Sequence, residues 1–242
     1  MRTAPALPSP RAVLFDAGNT LLRMNYPAIA GHLRSRGRAV PIEAIEEAEM
    51  RARVKLDAGL ACGTSTEGRP AQDLYLGYLL EGLGLTDAGE VEAAASFRRD
   101  YNAPGGLFDR ADPEAQATIR RAKAAGLVTG VVSNSNGCVR ALLEGAGLAA
   151  DLDFIIDSGL VGVEKPDPRI FELGLREAGV VARDAVYVGD LYSVDVLGSR
   201  AAGIRPILLD PRGYWGPRDC AVARDLHEAL SLVLDPRRNP ID

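Results

Sequence analysis

The chain has 242 residues, of which 47% are hydrophobic and 25% are charged, and its formal net charge is −5. This balance is that of an ordinary globular protein, and it excludes collagen-like, disordered and disulfide-dense classes. Because the charge is acidic and no strongly basic stripe is present, we expect no nucleic-acid partner.

The first half of the chain begins with a strand pattern and continues with helical patterns. A short apolar run at residues 12–15 predicts a buried strand, closed by a turn at 16–19. From about residue 27 to 101 the composition becomes rich in Ala, Leu, Glu and Arg, which indicates helices without strands. A break at 102–106 then separates this region from a punctuated helix at 114–125.

The second half of the chain alternates between strands and helices. The strand candidates are 127–132, 152–156, 185–188 and 205–209, and the helix candidates are 137–144, 168–178 and 193–202. This alternation is typical of a parallel sheet wound by right-handed crossovers. We therefore predict a doubly wound α/β core of residues 1–24 and 105–242, interrupted by an inserted α-helical cap domain at 25–104. A further amphipathic helix is expected at about 219–234.

Polar side chains follow the predicted strands. Asp16 follows the first strand, Ser133 and Asn134 the second, Lys165 lies in the loop after the third, and Asp190 and Asp195 follow the fourth. Open parallel sheets bind ligands at the carboxyl ends of their strands, so these side chains should converge on one edge. Carboxylates favour Mg²⁺, and a lysine and a serine hydroxyl suit phosphoryl oxygens. An aspartate can attack phosphorus to form an aspartyl phosphate. The pattern predicts phosphoryl transfer.

Four segments carry a resemblance to a known family. VLFDAGNTLL, VVSNSN, VEKPDPRIF and VYVGDLYSVDVLG resemble, in that order, the four motifs of the haloacid dehalogenase-like hydrolase superfamily. The intervening helical stretch resembles its small α-helical cap. The resemblance implies that Asp16 is the nucleophile and a metal ligand. It implies that Ser133, with Asn134, contacts the phosphoryl group or substrate, and that Lys165 is the charge partner of the nucleophile and of the phosphate.

The resemblance also implies a metal shell for a Mg²⁺ cofactor. In this shell Asp190 binds the metal, and Asp195 holds a metal-bound water or Lys165. The backbone carbonyl of Gly18 completes the shell, which places Gly18 beside the substrate as well. The expected activity is Mg²⁺-dependent hydrolysis of a small phosphorylated metabolite through phospho-Asp16.

Gly18 departs from the pattern of phosphatases in this superfamily. They usually carry a second Asp two residues after the nucleophile, as acid for the leaving group and base for water. A positioned acid or base contributes about 10²- to 10⁴-fold in rate, so a plain phosphatase without it should be slow. A good leaving group, or a replacement acid from the cap or the substrate, would compensate.

Three alternatives therefore stay open. A 2-haloacid dehalogenase also lacks this Asp and needs no Mg²⁺, but it does not normally keep a Gly-Asp motif like Gly189-Asp190. A phosphonatase keeps the metal but uses a cap lysine as a Schiff base. Lys55 is the one lysine of the insertion, and its charged surroundings favour a solvated helix face. The third alternative is a weakened regulatory protein that binds phosphate without turnover.

The remaining features predict an ordinary soluble enzyme. The N-terminus lacks an apolar core of signal-peptide length, and no stretch approaches ~18 uninterrupted apolar residues, so we expect a cytoplasmic protein without a membrane partner. The cysteines Cys62, Cys138 and Cys220 are widely spaced, which suits reduced thiols. His32 and His227 lie far from the motifs, and structural roles are expected for both.

Overall fold

The computed structural model describes residues 9–60, 66, 69–101 and 106–235. Its central feature is a six-stranded parallel sheet with the strand order β5-β4-β1-β6-β7-β8. A separate antiparallel ribbon pairs β2 with β3. The strands are β1 (Ala12–Phe15), β2 (Leu22–Arg23), β3 (Arg110–Ala111), β4 (Val128–Ser133), β5 (Phe154–Asp157), β6 (Ala185–Gly189), β7 (Arg205–Leu209) and β8 (Ala221–Ala223).

Helices cover both faces of the sheet and form a separate group between β2 and β3. They are α1 (Tyr26–Ser35), α2 (Ile42–Leu60), α3 (Arg69–Gly82), α4 (Ala88–Tyr101), α5 (Ala115–Ala124), α6 (Val139–Gly145), α7 (Ser158–Val161), α8 (Pro168–Ala178), α9 (Leu197–Ala201) and α10 (Leu226–Leu234). A π-helical turn at Tyr192–Val196 precedes α9. We refer to α1–α4 as the cap. The described part of the chain contains no helix that is both long and apolar enough to cross a membrane.

The sheet separates two apolar layers. Val13 and Phe15 of β1 pack into a cluster with residues of α5, α6 and α10. Leu14, whose side chain points to the opposite face, packs into a second cluster with Phe171 of α8 and Tyr187 of β6. Burial on both faces explains why the strands read as continuous apolar runs. The predicted doubly wound α/β architecture is confirmed.

The boundaries of α8 follow from its capping residues. Asp167 accepts the backbone N–H of Arg169 at 2.9 Å, and Pro168 occupies the first turn, where its missing N–H costs nothing. Gly179 ends the helix at φ 64°, a left-handed conformation that glycine adopts without a Cβ clash. The predicted helix at 168–178 is confirmed.

The predicted helix at about 219–234 is wrong over residues 219–225 and correct over residues 226–234. Residues Ala221–Ala223 form β8, an edge strand parallel to β7, and the helix α10 begins only at Leu226. Asp225 marks its start, because its side chain accepts the N–H of Glu228 at 2.7 Å. Three residues are too few to show a strand periodicity, so the sheet neighbour decides their conformation.

The ribbon of β2 and β3 brings together the two connections between the sheet and the cap. It was not predicted, because each strand has two residues. The N–H of Asn25 donates to the carbonyl of Leu107 at 2.7 Å, which extends the contact between the connections. The limits proposed for the cap domain, 25–104, stay a prediction, and the second limit lies outside the described residues.

Candidate active site

Asp16 lies at the carboxyl end of β1, in the middle of the sheet. Its backbone N–H donates to the carbonyl of Val188 at 2.9 Å, and the residue is 7% exposed. One carboxylate oxygen, Oδ1, accepts the hydroxyl of Ser133 at 3.0 Å and the ammonium of Lys165 at 2.7 Å. Three residues that are far apart in sequence therefore meet at one oxygen, as the parallel topology predicts.

Lys165 is a buried ammonium with a full set of partners. Besides Asp16 it donates to Asp195 Oδ1 at 2.7 Å and to the hydroxyl of Tyr187 at 2.9 Å. Burial alone would lower the pKa of Lys165, but the carboxylates of Asp16 and Asp195 outweigh it and raise the pKa. The lysine is therefore a fixed positive charge at neutral pH.

Asn134 holds the main chain of the loop that carries Lys165. The N–H of Lys165 donates to Asn134 Oδ1 at 2.7 Å, and Asn134 Nδ2 donates back to the carbonyl of Lys165 at 3.0 Å. The same Nδ2 also donates to Thr66 Oγ1 at 2.9 Å. These bonds fix the backbone of Lys165 and so orient its side chain. Asn134 also lines the cavity described below.

Three buried carboxylates meet at this edge of the sheet. Asp16, Asp190 and Asp195 each offer an oxygen, and these oxygens lie within 4.8 Å of one another. Burial raises the pKa of Asp190, and it also raises that of Asp16 although Lys165 opposes the effect. Together with Lys165 the three carboxylates carry a net charge of −2 when all are ionised, and the buried pair of Arg53 and Glu49 beside Asp190 leaves this net charge unchanged.

Both carboxylate oxygens of Asp195 accept hydrogen bonds from neighbouring groups. Its Oδ2 accepts the backbone N–H groups of Asp190 at 3.1 Å and of Leu191 at 2.9 Å, while Oδ1 accepts Lys165. Gly189 makes this packing possible, since a Cβ at that position would lie 2.4 Å from Asp195 Cγ. Glycine is required there for close approach.

Gly18 has no such requirement. Its φ lies outside the left-handed region, and the nearest atom to an added Cβ would be Phe108 Cδ1 at 3.7 Å, an ordinary contact. A Cβ atom therefore fits at position 18. The backbone conformation at position 18 therefore does not explain why glycine stands there in place of aspartate.

The cap contributes a buried polar cluster that the sequence did not indicate. Arg53 of α2 binds the carboxylate of Glu49 one turn earlier, and its Nη1 lies 3.3 Å from Asp190 Oδ2. Glu49 is fully buried and also accepts the hydroxyls of Tyr26 at 3.0 Å and of Tyr75. In sequence, Glu49 and Arg53 form an i,i+4 pair of the kind found on exposed helix faces. Only the packing of α2 against the core reveals that they are buried.

A cavity of about 230 Å³ lies between the cap and the edge of the sheet. Asp16, Ser133, Lys165 and Asp190 line its floor. Its apolar lining includes Leu22, Met24, Leu56, Leu79, Leu107 and Phe108, and its polar lining on the cap side includes Arg53, Tyr75 and Arg98. The cavity size suits a small molecule.

The comparisons with known proteins agree on one family. Residues 10–203 match the family model of haloacid dehalogenase-like hydrolases. The chain belongs to this family. This hydrolase is 29% identical over 208 residues to human haloacid dehalogenase-like hydrolase domain-containing protein 3, covering 82% of this chain and 81% of the relative.

Two further relatives have names that state an activity. A phosphoglycolate phosphatase of Rhodospirillum rubrum is 30% identical to this hydrolase over 211 residues, covering 85% of this chain and 81% of the relative. A solved structure of a 2-haloacid dehalogenase from Pseudomonas syringae pv. Tomato is 30% identical, with a TM-score of 0.54, and covers 93% of this chain and 98% of that one. The predicted family and hydrolase class are confirmed.

Three residues that the sequence did not place in the site are absent from the described part of the cavity lining, namely Lys55, His32 and His227. The ammonium of Lys55 pairs with Glu81 at 2.6 Å on an exposed face, as the solvated interpretation predicts. His32 stacks on Phe97 with ring centroids 4.5 Å apart, and His227 lies 2.9 Å from Arg121. Lys55 is therefore not placed to form a Schiff base with a ligand in this cavity.

Proposed function

We propose that this hydrolase cleaves the phosphate ester of a small metabolite, with Mg²⁺ as cofactor and Asp16 as nucleophile. The observation that carries the proposal is the convergence of Ser133 and Lys165 on one oxygen of Asp16, next to Asp190. Carboxylate, hydroxyl and ammonium groups in one buried pocket are the groups that phosphoryl transfer needs.

The donor set fits a hard divalent cation. A buried cluster whose net charge is −2 with its carboxylates ionised is stabilised by a cation of charge +2, and oxygen-only ligands favour Mg²⁺. We assign Asp16, Asp190 and the backbone carbonyl of Gly18 as its protein ligands. Asp195 orients this shell through Lys165 and the N–H groups of Asp190 and Leu191. When bound, Mg²⁺ would neutralise charge on the phosphoryl oxygens.

Ser133, Lys165 and Asp16 have separate roles in the proposed reaction. Ser133 and Lys165 fix the carboxylate of Asp16 in one orientation, and Lys165 also offsets negative charge that develops on the phosphoryl group. Asp16 forms a bond to phosphorus while the bond to the leaving oxygen breaks. Water then releases phosphate and restores the carboxylate. The apolar walls of the cavity limit access of bulk water to the intermediate.

The similarity to a phosphoglycolate phosphatase over most of both chains supports this proposal. The similarity to a 2-haloacid dehalogenase, together with Gly18, favours a second candidate in which Asp16 attacks carbon. Asp190 separates the two candidates. The oxygens of Asp16, Asp190 and Asp195 lie within 4.8 Å of one another, a donor set that suits a divalent cation, and attack on carbon needs no cation.

The proposal is tested with Asp16→Asn on an activated aryl phosphate. Asparagine keeps the size of the side chain but is not a nucleophile, so we expect turnover to fall by more than about 10³-fold with an unchanged circular dichroism spectrum. Asp151→Asn is the matched control, because Asp151 forms a surface pair with Arg120. Activity of Asp16→Asn near the wild-type level would refute the assignment.

A chelator separates the candidate functions. Removal of Mg²⁺ should abolish phosphate release, and returning it should restore activity. Halide release from a 2-haloacid that persists in chelator would instead establish the dehalogenase. Binding of Mg²⁺ and phosphate without turnover of any phosphoester would establish the regulatory alternative.

A further inference from the structure

The walls of the cavity beyond its polar floor are apolar. Most of the surface that lines the cavity is apolar. The lining residues that pack together with the cap helices in one cluster are Met24, Leu79, Leu107 and Phe108. An apolar group gains free energy when it leaves water for such walls, whereas a hydroxylated group loses hydrogen bonds to water. The walls therefore favour an apolar organic group on the substrate.

The volume of the cavity suits one aromatic ring. A protein cavity of about 150 Å³ lined by Leu, Ile and Phe binds benzene. The cavity of this hydrolase is larger, about 230 Å³, so a ring of six carbons fits beside the floor that would hold a phosphoryl group. Phe108 is half-buried and borders the cavity. Its ring can pair with a ring of the substrate, edge-to-face or offset-stacked.

The cations on the cap side of the cavity already have carboxylate partners. Arg53 binds Glu49, and its Nη1 lies 3.3 Å from Asp190 Oδ2. Arg98 Nη2 donates to Asp73 Oδ1 at 2.6 Å. In the part of the lining that the structure describes, a carboxylate of the substrate would therefore find no unpaired cation on this side. Because burial of an unpaired carboxylate is costly, we expect the organic group to be uncharged.

The described lining also lacks a further acid that could protonate a leaving group. It contains no histidine, and its carboxylic acids are Asp16, Asp190 and Asp195, to which the proposed function gives other roles. Two residues after the nucleophile, a Cβ at Gly18 would lie 3.7 Å from Cδ1 of Phe108. An aromatic ring and not a proton donor therefore lies beside this part of the chain.

The hydroxyl of Tyr75, which also borders the cavity, does not supply the missing proton. It donates to Glu49, and Asn19 Nδ2 donates to Glu49 Oε1 at 3.2 Å and to this hydroxyl at 3.1 Å. Burial and the negative charge of Glu49 raise the pKa of Tyr75, so the hydroxyl keeps its proton. A leaving oxygen must then depart as an anion. A phenol does so readily, because it ionises at a pKa of about 10, as tyrosine does.

We propose that the substrate is the phosphate monoester of an uncharged phenol whose ring packs against Phe108, an inference that rests on the proposed function. An oxygen of Asp16 forms a bond to phosphorus while the bond between phosphorus and the phenol oxygen breaks. The electron pair of the broken bond stays on that oxygen, and the phenolate takes a proton from water after release. Water then releases phosphate from Asp16. Phe108 is a specificity-determining residue, because it contacts the leaving group.

The first test compares phosphate esters on the wild-type protein loaded with Mg²⁺. Cyclohexyl phosphate matches phenyl phosphate in ring size but has a poor leaving group, so its kcat/KM should be lower by at least about 10²-fold. As an inhibitor it should have a Ki at least about tenfold below that of glycerol phosphate, which is polar and has no ring. 4-Carboxyphenyl phosphate should have a kcat/KM at least about tenfold below that of 4-methylphenyl phosphate.

The second test removes the ring of Phe108. Phe108→Leu keeps an apolar side chain, and acetyl phosphate provides a good leaving group without a ring. We expect the ratio of kcat/KM for phenyl phosphate to that for acetyl phosphate to fall by about two- to tenfold, the contribution of one aromatic pair. Phe97→Leu is the matched control, because Phe97 packs against the same cluster but is absent from the described lining. A purely structural role of Phe108 would lower both kcat/KM values equally.

Three results would overturn the inference while phosphoester hydrolysis itself stands. They are a kcat/KM for cyclohexyl or glycerol phosphate that equals that for phenyl phosphate, a 4-carboxyphenyl ester that is as good as the 4-methylphenyl ester, and an unchanged ratio in Phe108→Leu. A wild-type protein that hydrolyses none of these phosphates would refute the proposed function, and the inference with it. The two failures are therefore distinguishable.

Discussion

Arg53 of the cap lies with its Nη1 3.3 Å from Asp190 Oδ2, at the loop that follows β6. The same guanidinium binds Glu49, and all three side chains are buried. One arginine therefore joins the carboxylate cluster of the core to the polar cluster of the cap. Because both contacts are shielded from water, the packing of the cap and the electrostatics of the site depend on each other.

The first prediction concerns the stability that Arg53 provides. Arg53→Met keeps an unbranched side chain but leaves the buried carboxylate of Glu49 without its cation. Breaking a buried ion pair on one side typically costs about 3–5 kcal/mol, so we expect the free energy of unfolding to fall by that amount. Urea denaturation followed by circular dichroism measures it.

Lys55→Met is the matched control for this measurement. Lys55 lies two residues later on the same helix, and its pair with Glu81 is about half exposed. Exposed pairs contribute about 0–1 kcal/mol, so this variant should unfold close to the wild type. An equal decrease in the free energy of unfolding in the two variants would mean that Arg53 is not shielded from water.

The second prediction concerns the two glycines of the site. Gly189→Ala should destabilise the protein by about 1–3 kcal/mol, because the new methyl group would overlap the carboxylate of Asp195 and displace it. Turnover should fall as well, since Asp195 holds Lys165. Gly18→Ala, where the methyl group meets only Phe108 at 3.7 Å, should have a thermal midpoint near that of the wild type. A Gly189→Ala variant as stable as Gly18→Ala would contradict the close packing.

The third prediction restores the missing acid. Gly18→Asp should raise turnover of an alkyl phosphate, whose poor leaving group needs a proton, by up to about 10²- to 10⁴-fold. Aryl phosphates should gain less, because their leaving groups depart without protonation. Gly18→Asn has the same size without the acid and is the control. Since φ at Gly18 lies outside the left-handed region and a Cβ there makes only ordinary contacts, a folded Gly18→Asp variant without any gain would contradict the prediction that the missing acid limits turnover.

The fourth prediction is a pH dependence of stability at Asp57. This cap residue accepts the N–H of Ser193 at 2.8 Å and its hydroxyl at 2.7 Å, which joins α2 to the π-helical turn. Burial raises the pKa of Asp57 above its ordinary value of 3.8, and the carboxylate of Asp195 adds to this, while the Ser193 bonds and Arg218 oppose it.

A raised pKa in the folded state means that ionisation of Asp57 costs stability. Its favourable contribution is complete below pH 3.8 and is lost as pH rises through the folded pKa. Asp57→Asn keeps an acceptor for Ser193 without the charge, so its stability relative to wild type should increase from pH 4 to pH 7 in urea titrations. A stability difference between Asp57→Asn and wild type that does not change with pH would contradict the raised pKa of Asp57.

Asp153 provides a control of opposite sign. Although burial would raise its pKa, hydrogen bonds from Lys123 and Thr129 lower it. Its contribution to stability is therefore present above the unfolded pKa and is lost as pH falls through the folded pKa. Asp153→Asn should lose stability relative to wild type at pH 7 and recover toward it at low pH.

The sequence alone determined β1, β4, β5, β6 and β7 of the sheet and the residues at their carboxyl ends. Buried parallel strands must be apolar along their whole length, so their runs stand out, and their carboxyl ends must share one side. Asp16, Ser133, Lys165 and Asp190 could therefore be placed together before any contact was known. The four motifs also identified the family, because their order and spacing follow the same topology.

Only the tertiary structure decided what faces these residues. Glu49 and Arg53 look like a surface pair, and Asn19 looks like a turn residue, because helical periodicity does not say which neighbour covers a given face. The burial of Glu49, the fixed amide of Asn19 and the strand at Ala221–Ala223 all depend on contacts between segments far apart in the chain. Such contacts arise from packing, which local sequence patterns do not encode.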